Sequence, residues 1–201
     1  MRNLKRGLFH LQTSDPVMAG LISRFGRLHY PKSKKLFDDL VYSIIEQQLS
    51  SKAAHTIYSR FLKLFLKQKY TPQQILDLDL SSIRSVGTSW AKARSLHDLS
   101  QKVLDKTVQL EKLATMSDDD VIRHLVQVKG IGRWSAEMFL MFNLHSPDAM
   151  PLDDRGIQNA MIRLYKLKDD QRLKTKMLKT SDPWRPYRTL ACWYLWKSLD
   201  T

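Results

Sequence analysis

The sequence predicts an almost entirely α-helical protein. Apolar residues recur at the three- and four-residue spacing of amphipathic helices along nearly the whole chain. No run rich in valine and isoleucine shows the alternation that is typical of a half-buried strand. Residues that can cap a helix repeatedly precede a proline, which is a common helix-start signal. These three observations together favour the all-α class.

Length and composition limit the classes of function. The 201 residues suffice for one sizeable core or two small lobes, and 43% hydrophobic content argues against disorder. A formal net charge of +13 favours a polyanionic partner, with nucleic acid as the first candidate. The single cysteine, Cys192, excludes an intramolecular disulfide and a four-cysteine iron–sulfur cluster. This cysteine content favours an intracellular protein, in the cytoplasm, nucleoid or nucleus. Because no long apolar run or signal-peptide core is present, we expect a soluble, unprocessed chain with no membrane association.

In the N-terminal half, helix starts are predicted at Asp15-Pro16 and Thr71-Pro72, where a capping side chain precedes proline at the first helical position. Between them, LFDDLVYSIIEQQLS predicts a helix with one apolar stripe that ends beside Gln48 and Leu49. A glutamine there has an ordinary explanation, namely a polar residue that faces solvent at a helix end. The next helix begins in SSKAAHTIYSRF, whose small residues permit close approach of a neighbouring backbone.

In the C-terminal half, Ser117 followed by Asp120 predicts a helix that runs to Val128. Asp182-Pro183 predicts another helix start. Residues 155–197 contain eleven lysines and arginines against three aspartates, so this part of the chain is markedly basic. The ordinary explanation of such a bias is a solvated helix face.

A glycine turn lies in VKGIGRWSAEM, residues 128–138. Gly130 and Gly132 can adopt dihedral angles that other residues avoid, and their lack of Cβ exposes backbone N–H groups at a helix N-terminus. Paired glycines also occur in ordinary helix–helix turns. The charge of the chain favours the alternative, a helix-hairpin-helix that binds a DNA phosphate through its backbone. Arg133, directly after the second glycine, belongs to this predicted phosphate site.

Two adjacent carboxylates, Asp153 and Asp154, lie in the stretch MPLDDRGI. One aspartate is enough to cap a helix, because its carboxylate accepts hydrogen bonds from first-turn N–H groups and opposes the positive end of the helix dipole. The second aspartate is either a chance surface residue or a functional residue. This stretch alone does not separate the two alternatives.

The chain resembles the helix-hairpin-helix (HhH-GPD) DNA glycosylase superfamily of base-excision repair, and within it the 3-methyladenine DNA glycosylase II, or alkyladenine, branch. This resemblance implies two helical lobes with a catalytic cleft between them. One lobe would comprise residues 39–144, including the hairpin, and the other residues 1–38 with 145–201. The matching stretches follow the order of the family and cover most of the chain: DPVMAGLISRFG, IIEQQLSSKAAHTIYSRF, VGTSWAKARSLHDLS, VKGIGRWSAEMFLMF, DAMPLDDRGIQNA and PWRPYRTLACWYLW.

The resemblance places Asp154 at the catalytic position and leaves Asp153 as the helix cap. A carboxylate beside the anomeric carbon stabilises the cationic sugar that forms when an N-glycosidic bond breaks, and it can orient water. Superfamily members that form a Schiff base carry a lysine where this chain has Trp134. The resemblance therefore implies a monofunctional glycosylase without AP-lyase activity. It would release alkylated purines of the N3-methyladenine and N7-methylguanine type from double-stranded DNA by base flipping.

The base pocket that the resemblance implies is aromatic, since an indole face attracts an electron-poor alkylated purine by about 0.5–2 kcal/mol. Trp134 and Trp196 match pocket positions of the branch, and Trp193 and Tyr187 are neighbouring candidates. Met138 belongs to the same predicted pocket and stands where related enzymes often have a tyrosine. Core packing is the ordinary alternative for each aromatic residue.

A side chain must fill the gap that an extruded base leaves, and the resemblance assigns this role to Gln48 or Leu49. No cofactor is required, but the hairpin carbonyls of relatives can hold a Na⁺ or K⁺ ion when DNA is bound. Val126, Val128 and Ile131 would supply those carbonyls here. The expected partner is double-stranded DNA that contains alkylated purines, bound by a monomer.

Two other functions stay open. A non-catalytic helix-hairpin-helix DNA-binding module would explain the charge and the glycines, but it gives no reason for Asp154 or the aromatic residues. A nuclease would need clustered acidic metal ligands. Apart from the Asp153-Asp154 pair and the run Asp118–Asp120, the sequence offers few of these.

Overall fold

The computed structural model describes residues 4–28 and 35–200, and it confirms the predicted all-α class: no β-strand occurs among these residues. None of the described helices is long and apolar enough to cross a membrane. A π-helical turn, Leu140–Leu144, continues one helix directly. In chain order the α-helices of the described part are α1 (Leu4–Ser14), α2 (Pro16–Phe25), α3 (Leu36–Glu46), α4 (Ser51–Leu62), α5 (Pro72–Leu76), α6 (Leu80–Ser85), α7 (Trp90–Leu104), α8 (Asp118–Leu125), α9 (Arg133–Phe139), α10 (Arg155–Tyr165), α11 (Leu173–Ser181) and α12 (Arg188–Lys197).

The described residues form two compact units. The split unit combines residues 4–28 with residues 140–200, and it contains α1, α2, α10, α11 and α12. The middle unit comprises residues 35–139 and contains α3 to α9. The lobes predicted from the sequence have their boundaries a few residues away from those of these units.

The middle unit is built around α7, against which α3, α5 and α6 pack. Helix α3 buries the apolar stripe that the sequence predicts, and α7 buries Leu96 and Leu99. Burial of each such aliphatic side chain contributes about 1.5–3 kcal/mol relative to its exposure. The position of α3 on α7 is therefore fixed by the core. The buried stripe of α3 consists of Leu40, Val41, Ile44 and Ile45.

The split unit is built around α12, where every residue from Thr189 to Leu195 is buried. Helices α1, α2 and α10 pack against it. A helix that is apolar on nearly all sides is typical of the centre of a helical assembly. Helix α12 can therefore position side chains on several neighbouring elements at once.

A buried aspartate, Asp15, joins distant segments within the split unit. Its Oδ1 accepts hydrogen bonds from the backbone N–H groups of Val17 and Met18, at 2.8 and 3.0 Å, and so caps α2. Its Oδ2 accepts from the Tyr165 hydroxyl at 2.9 Å and from the Trp184 indole at 2.8 Å. Burial raises the pKa of Tyr165, and the charge of Asp15 raises it further, so the hydroxyl stays protonated and donates.

Three predicted helix starts are confirmed: Asp15 caps α2, and Thr71 and Ser117 cap α5 and α8. Thr71 forms a reciprocal capping box with Gln74, whose side chain accepts the Thr71 N–H at 2.9 Å. Ser117 Oγ accepts the N–H of Asp120 at 3.2 Å. The sequence is sufficient to predict these helix starts because each capping side chain and the N–H that it accepts lie within four residues of each other.

The predicted helix start at Asp182-Pro183 is wrong. Helix α11 runs to Ser181 and is followed by a 3-10 turn, Asp182–Trp184, in which no side chain caps the N-terminus. Asp182 has helical backbone angles, whereas an N-cap residue needs an extended backbone. Helix α12 begins only at Arg188.

Candidate active site

Asp154 is the residue that caps α10. Its backbone is extended, with φ −73° and ψ 116°, and its Oδ1 accepts the N–H of Ile157 at 2.8 Å. The residue is only 8% exposed. First-turn N–H groups and the helix dipole both favour a carboxylate here. The cap therefore holds a mostly buried carboxylate in a fixed orientation.

The expectation that Asp153 caps this helix is wrong. Its side chain is about half exposed and forms an ion pair with Lys174 of α11. The candidate catalytic residue, Asp154, is itself the cap, because it is the aspartate whose carboxylate reaches the first-turn N–H groups. Exposed ion pairs such as that of Asp153 contribute little to stability, about 0–1 kcal/mol.

Trp196 of α12 forms a second hydrogen bond to the same carboxylate oxygen. Its Nε1–H donates to Asp154 Oδ1 at 2.8 Å, and its ring stacks on Phe142 with centroids 5.6 Å apart. A hydrogen bond to an ionised group contributes about 1.5–3 kcal/mol. Two donors on one oxygen fix the plane of the carboxylate. Sequence analysis placed Trp196 in a base pocket and missed its hydrogen bond to Asp154.

Gly156, in the first turn of α10, makes this contact possible, and sequence analysis missed it. A Cβ at this position would lie 3.0 Å from Trp196 Cδ1 and 3.1 Å from Asp154 Oδ1. A larger residue would therefore push the indole and the carboxylate apart. The signal in the sequence is a glycine inside a predicted helix, where alanine is more favourable by about 1 kcal/mol.

The loop before α10 is held by α12. Arg188 donates to both oxygens of Asp148, at 2.8 and 3.0 Å, and Arg185 donates to the same carboxylate at 2.7 Å. The N–H of Ala149 donates to the Thr189 hydroxyl at 2.9 Å. A bidentate arginine–carboxylate pair fixes geometry as well as distance. Helix α12, which carries Trp196, therefore also sets the path of the loop that leads to Asp154.

The one cysteine of the chain lies near this carboxylate but is not a nucleophile. Burial raises the pKa of the Cys192 thiol, and the negative charge of Asp154 raises it further. Its Sγ lies 3.6 Å from Met150 Sδ. Since the thiolate is the reactive form of cysteine, a thiol that stays protonated at neutral pH cannot attack a sugar.

The structure places two other aromatic candidates in packing positions. Trp193 is buried, with 4% exposure. The Tyr187 ring lies against α1, with its centroid 5.4 Å from that of His10 and with Gly7 beside it. Both positions agree with core packing, the alternative considered for each, better than with a base pocket.

Trp134 and Met138 lie four residues apart, on one face of α9 in the middle unit. Trp134 is 45% exposed, and Met138 is half-buried. An indole with this exposure presents surface on which an aromatic ligand can stack. The pocket role of both residues stays a prediction.

The predicted hairpin joins α8 to α9. Helix α8 ends at Leu125, three residues before the predicted end, and the N–H of Ile131 donates to the Val128 carbonyl at 3.0 Å. Gly130 has φ 84°, and a Cβ on it would collide with Ser95 Oγ of α7. Both the left-handed backbone and the close approach therefore require glycine at this position.

Gly132 does not share these constraints. Its φ is not in the left-handed region, and a Cβ on it would meet no atom within 4 Å. The expectation of special dihedral angles is therefore confirmed for Gly130 and wrong for Gly132. The open space beside Gly132, directly before α9, fits the approach of a ligand to the backbone. Phosphate binding at this turn stays a prediction.

Charged side chains surround the turn. Asp98 of α7 accepts the Lys129 N–H at 2.8 Å and pairs with Lys102 at 2.6 Å. Burial alone would raise the pKa of Asp98, but these hydrogen bonds and positive charges outweigh burial and lower it. Arg133 donates from Nε to Glu137 at 3.0 Å, which uses one of the several guanidinium donors. The phosphate contact of Arg133 stays a prediction.

The predicted Na⁺ or K⁺ site lies along the same turn. The Val128 carbonyl already accepts the Ile131 N–H, but a carbonyl oxygen has a second lone pair that can bind a cation. Backbone carbonyls are suitable ligands for hard monovalent ions. The site formed by Val126, Val128 and Ile131 stays a prediction.

Gln48 and Leu49, the two candidates for filling the gap of an extruded base, lie in the loop that follows α3. Helix α3 ends at Glu46, and Gln48 adopts a left-handed backbone with φ 58°. Gln48 is exposed, and Leu49 is 38% exposed. The neighbouring Gln47 donates from Nε2 to the Gly130 carbonyl at 2.9 Å, a link between loop and hairpin that sequence analysis missed.

The acidic residues do not gather into a metal centre in the part of the chain that the structure describes. No group of three or more histidine, cysteine, aspartate or glutamate side chains there could hold a metal ion.

Comparison with known proteins identifies the family. The model of the HhH-GPD superfamily of base excision DNA repair proteins matches residues 41–186. DNA-3-methyladenine glycosylase 1 of Schizosaccharomyces pombe is 34% identical over 203 residues, which cover 98% of this chain and 88% of that protein.

Solved structures agree with the sequence comparison. A 3-methyladenine DNA glycosylase of Schizosaccharomyces pombe in complex with abasic DNA has a TM-score of 0.85 and 34% identity, with 98% of each chain covered. A DNA-3-methyladenine glycosidase of Bacillus halodurans has a TM-score of 0.87 and 31% identity, with 98% of this chain and 90% of that chain covered. Since the family model spans well over half of the sequence, the chain belongs to the HhH-GPD superfamily of base excision DNA repair proteins.

Proposed function

We propose that this protein is a base-excision repair glycosylase that releases alkylated purines from double-stranded DNA. The observation that carries the proposal is the environment of Asp154. Its mostly buried carboxylate is held at a helix N-terminus by the Ile157 N–H and the Trp196 indole, each at 2.8 Å. Relatives from a fungus and a bacterium that are named for action on 3-methyladenine support the substrate class.

Asp154 acts on the sugar rather than on the base. Alkylation at N3 or N7 makes a purine a cationic leaving group, and rupture of the N-glycosidic bond leaves positive charge on the sugar. A carboxylate beside that charge stabilises the transition state and orients the attacking water. Because two donors already fix its orientation, the carboxylate reorganises little as the charge develops, which is the usual source of large electrostatic effects in enzymes.

The middle unit supplies DNA contacts in this proposal. The turn at Gly130 and Gly132 binds phosphate, and Gln48 or Leu49 fills the space that the flipped nucleotide leaves. Trp134, with its exposed indole, stacks on the base. A Na⁺ or K⁺ ion on the hairpin carbonyls would add only a bridge to phosphate, and the hydrolysis itself uses no cofactor.

We also propose that the enzyme is monofunctional. Strand cleavage by the lyase route needs an uncharged amine that attacks the sugar. Trp134 occupies the position where lyases of the superfamily carry that lysine. Lys174, which lies beside MPLDDRGI, is held in an ion pair with Asp153.

Release of free bases from methylated DNA tests the activity. Duplex DNA treated with a methylating agent is incubated with the protein, and the released bases are separated by chromatography. N3-methyladenine and N7-methylguanine should appear, and the strand should stay intact until alkali cleaves the abasic sites. Tight duplex binding without any released base would favour the non-catalytic DNA-binding module instead.

Borohydride trapping tests the monofunctional mechanism. Wild-type protein on an abasic-site duplex should form no covalent adduct, because no amine is placed to make the Schiff base. An adduct that forms as fast as bases are released would contradict the proposal. Its loss in a Lys174→Met variant would then identify the attacking amine.

A further inference from the structure

A lysine that the proposed mechanism does not use holds the loop that carries Gln48 and Leu49. Lys92, in the first turn of α7, donates from Nζ to the carbonyls of Ile45 and Gln47, at 2.7 Å each. These carbonyls lie at the C-terminal end of α3, where the helix offers no N–H partners. A cation there also interacts favourably with the helix dipole. We name residues 47–50 the probe loop.

The probe loop is tied to the hairpin as well as to α7. The Gln47 side chain donates to the Gly130 carbonyl at 2.9 Å. Two residues of α7 contact the hairpin. Ser95 lies against Gly130, and Asp98 accepts the backbone N–H of Lys129. Lys92, Ser95 and Asp98 follow each other at three-residue spacing, on one side of α7. One helix therefore braces both DNA-binding elements of the middle unit.

The geometry of the probe loop needs such a brace. Gln48 has a left-handed backbone, which non-glycine residues adopt rarely and keep only where neighbouring contacts enforce it. The turn closes through the Leu49 N–H, which donates to the Glu46 carbonyl at 3.0 Å. The exposed side chains of Gln48 and Leu49 therefore project from a loop whose start is held by Lys92 on one side and by the hairpin on the other.

The Lys92 ammonium is partly withdrawn from water. Burial lowers its pKa, which agrees with its half-buried position over the helix end. Hydrogen bonds are stronger in a medium of lower dielectric constant. The two bonds to the α3 carbonyls are therefore better shielded than those of an ordinary surface lysine.

We propose that Lys92 and Gln47 are positioning residues for base extrusion, which hold the probe loop rigidly on the hairpin so that phosphate binding and side-chain insertion occur as one event. This inference rests on the proposed function, since it assumes that the hairpin binds DNA and that Gln48 or Leu49 enters the duplex. A loosened loop would have to be ordered during insertion, which makes extrusion less favourable.

The test separates extrusion from the other steps of the reaction. Lys92→Met removes the ammonium and keeps an apolar stem of similar length. The single-turnover release of N7-methylguanine from a fully paired duplex should fall about tenfold, the effect expected for loss of charge-assisted hydrogen bonds. Release from an unpaired bulge should fall less than about threefold, because an unpaired base needs little help to leave the stack. Affinity for undamaged duplex should stay within about twofold of wild type.

Two further variants control the result. Lys112→Met removes the same charge from an exposed position of the middle unit, and it should release both substrates at wild-type rates. Gln47→Met breaks only the link to the hairpin, and it should reproduce the selective loss on paired DNA even if Lys92→Met does not fold. Equal slowing on paired and bulged substrates by variants with the wild-type melting temperature would overturn the inference.

A fluorescence measurement distinguishes this failure from failure of the proposed function. A wild-type protein that releases no alkylated base would contradict the proposed activity alone. In that case 2-aminopurine, placed opposite an abasic-site analogue in a duplex, still reports unstacking when the protein binds. A smaller fluorescence rise with Lys92→Met than with wild type supports the brace, and identical rises overturn it.

Discussion

The two units of the molecule hold their candidate functional groups in different ways. In the split unit the group is a side chain, the Asp154 carboxylate, which is fixed by hydrogen bonds from Ile157 and Trp196. In the middle unit the groups are backbone atoms at the hairpin, which are positioned by the absence of a Cβ on Gly130 and by the Gln47 amide. Removing charge should therefore impair chemistry in the first unit, whereas adding atoms should impair DNA affinity in the second.

The largest effect is expected for Asp154→Asn. Asparagine keeps the size and the capping ability of aspartate but removes the charge that a cationic sugar needs. Single-turnover release of alkylated purine should fall by about 100-fold or more, whereas affinity for an abasic-site duplex should persist. Quench-flow kinetics and fluorescence anisotropy measure the two quantities. A folded variant that releases bases at the wild-type rate would show that the chemical step does not depend on the Asp154 charge.

Substitutions of the two hairpin glycines should affect binding and stability differently. Gly130→Ala places a Cβ against Ser95 in a left-handed backbone, so both the melting temperature and the affinity for every duplex should fall. Gly132→Ala meets no protein atom, so it should leave the melting temperature unchanged and weaken duplex binding by about threefold or more. Unchanged affinity in both variants for undamaged and abasic DNA would exclude the hairpin as the phosphate contact.

A smaller effect on the chemical step is expected for Trp196→Phe. Phenylalanine can still stack on Phe142 but lacks the N–H that Asp154 Oδ1 accepts. Loss of one hydrogen bond to an ionised group should lower the single-turnover rate by about tenfold, with little change in affinity for abasic DNA. A loss of affinity as large as the loss of rate would indicate that the indole acts mainly in binding.

Gly156→Ala provides a second way to disturb the same contact, because its Cβ would crowd both Trp196 and Asp154. Its rate should fall to a similar extent. Gly20→Ala, on α2, is the matched control, since a Cβ there meets no atom within 4 Å. The control should release bases normally and should be at least as stable as wild type, because alanine is the better helix former.

The smallest effect is expected for Asp153→Asn. Both side chains of the ion pair with Lys174 are about half exposed, and such pairs contribute about 0–1 kcal/mol to stability. The rate of base release should be indistinguishable from wild type. Thermal unfolding and base release measured side by side with Asp154→Asn show whether the two adjacent aspartates have separate roles. A variant of Asp153 that alone lost activity would reverse their assignment.

The sequence predicted those features that depend on neighbouring residues. The all-α class follows from local apolar spacing, and the cap at Thr71 has its partner three residues away. The distinction between Asp153 and Asp154 as the cap was predicted wrongly, because it depends on backbone angles at a boundary that a pattern locates only to within a few residues.

Contacts between residues far apart in the sequence could not be predicted in the same way. Gln47 bonds to Gly130, 83 positions along the chain, and Trp196 reaches Asp154 across 42 positions. In the sequence, Lys92 is an ordinary lysine of a predicted helix, and only the folded structure shows its contact with the end of α3. These three residues have no local signature, since their roles arise only from tertiary packing.

The four hydrogen bonds to Asp15 have a consequence for synthesis on the ribosome. Two of its donors, Tyr165 and Trp184, lie 150 and 169 positions later in the chain, so these contacts cannot form until the ribosome has released most of the polypeptide. The middle unit needs only residues up to 139. The residues of the hairpin are therefore all available on a nascent chain that does not yet present Trp196 to the Asp154 carboxylate, so the two candidate sites become complete at different stages of synthesis.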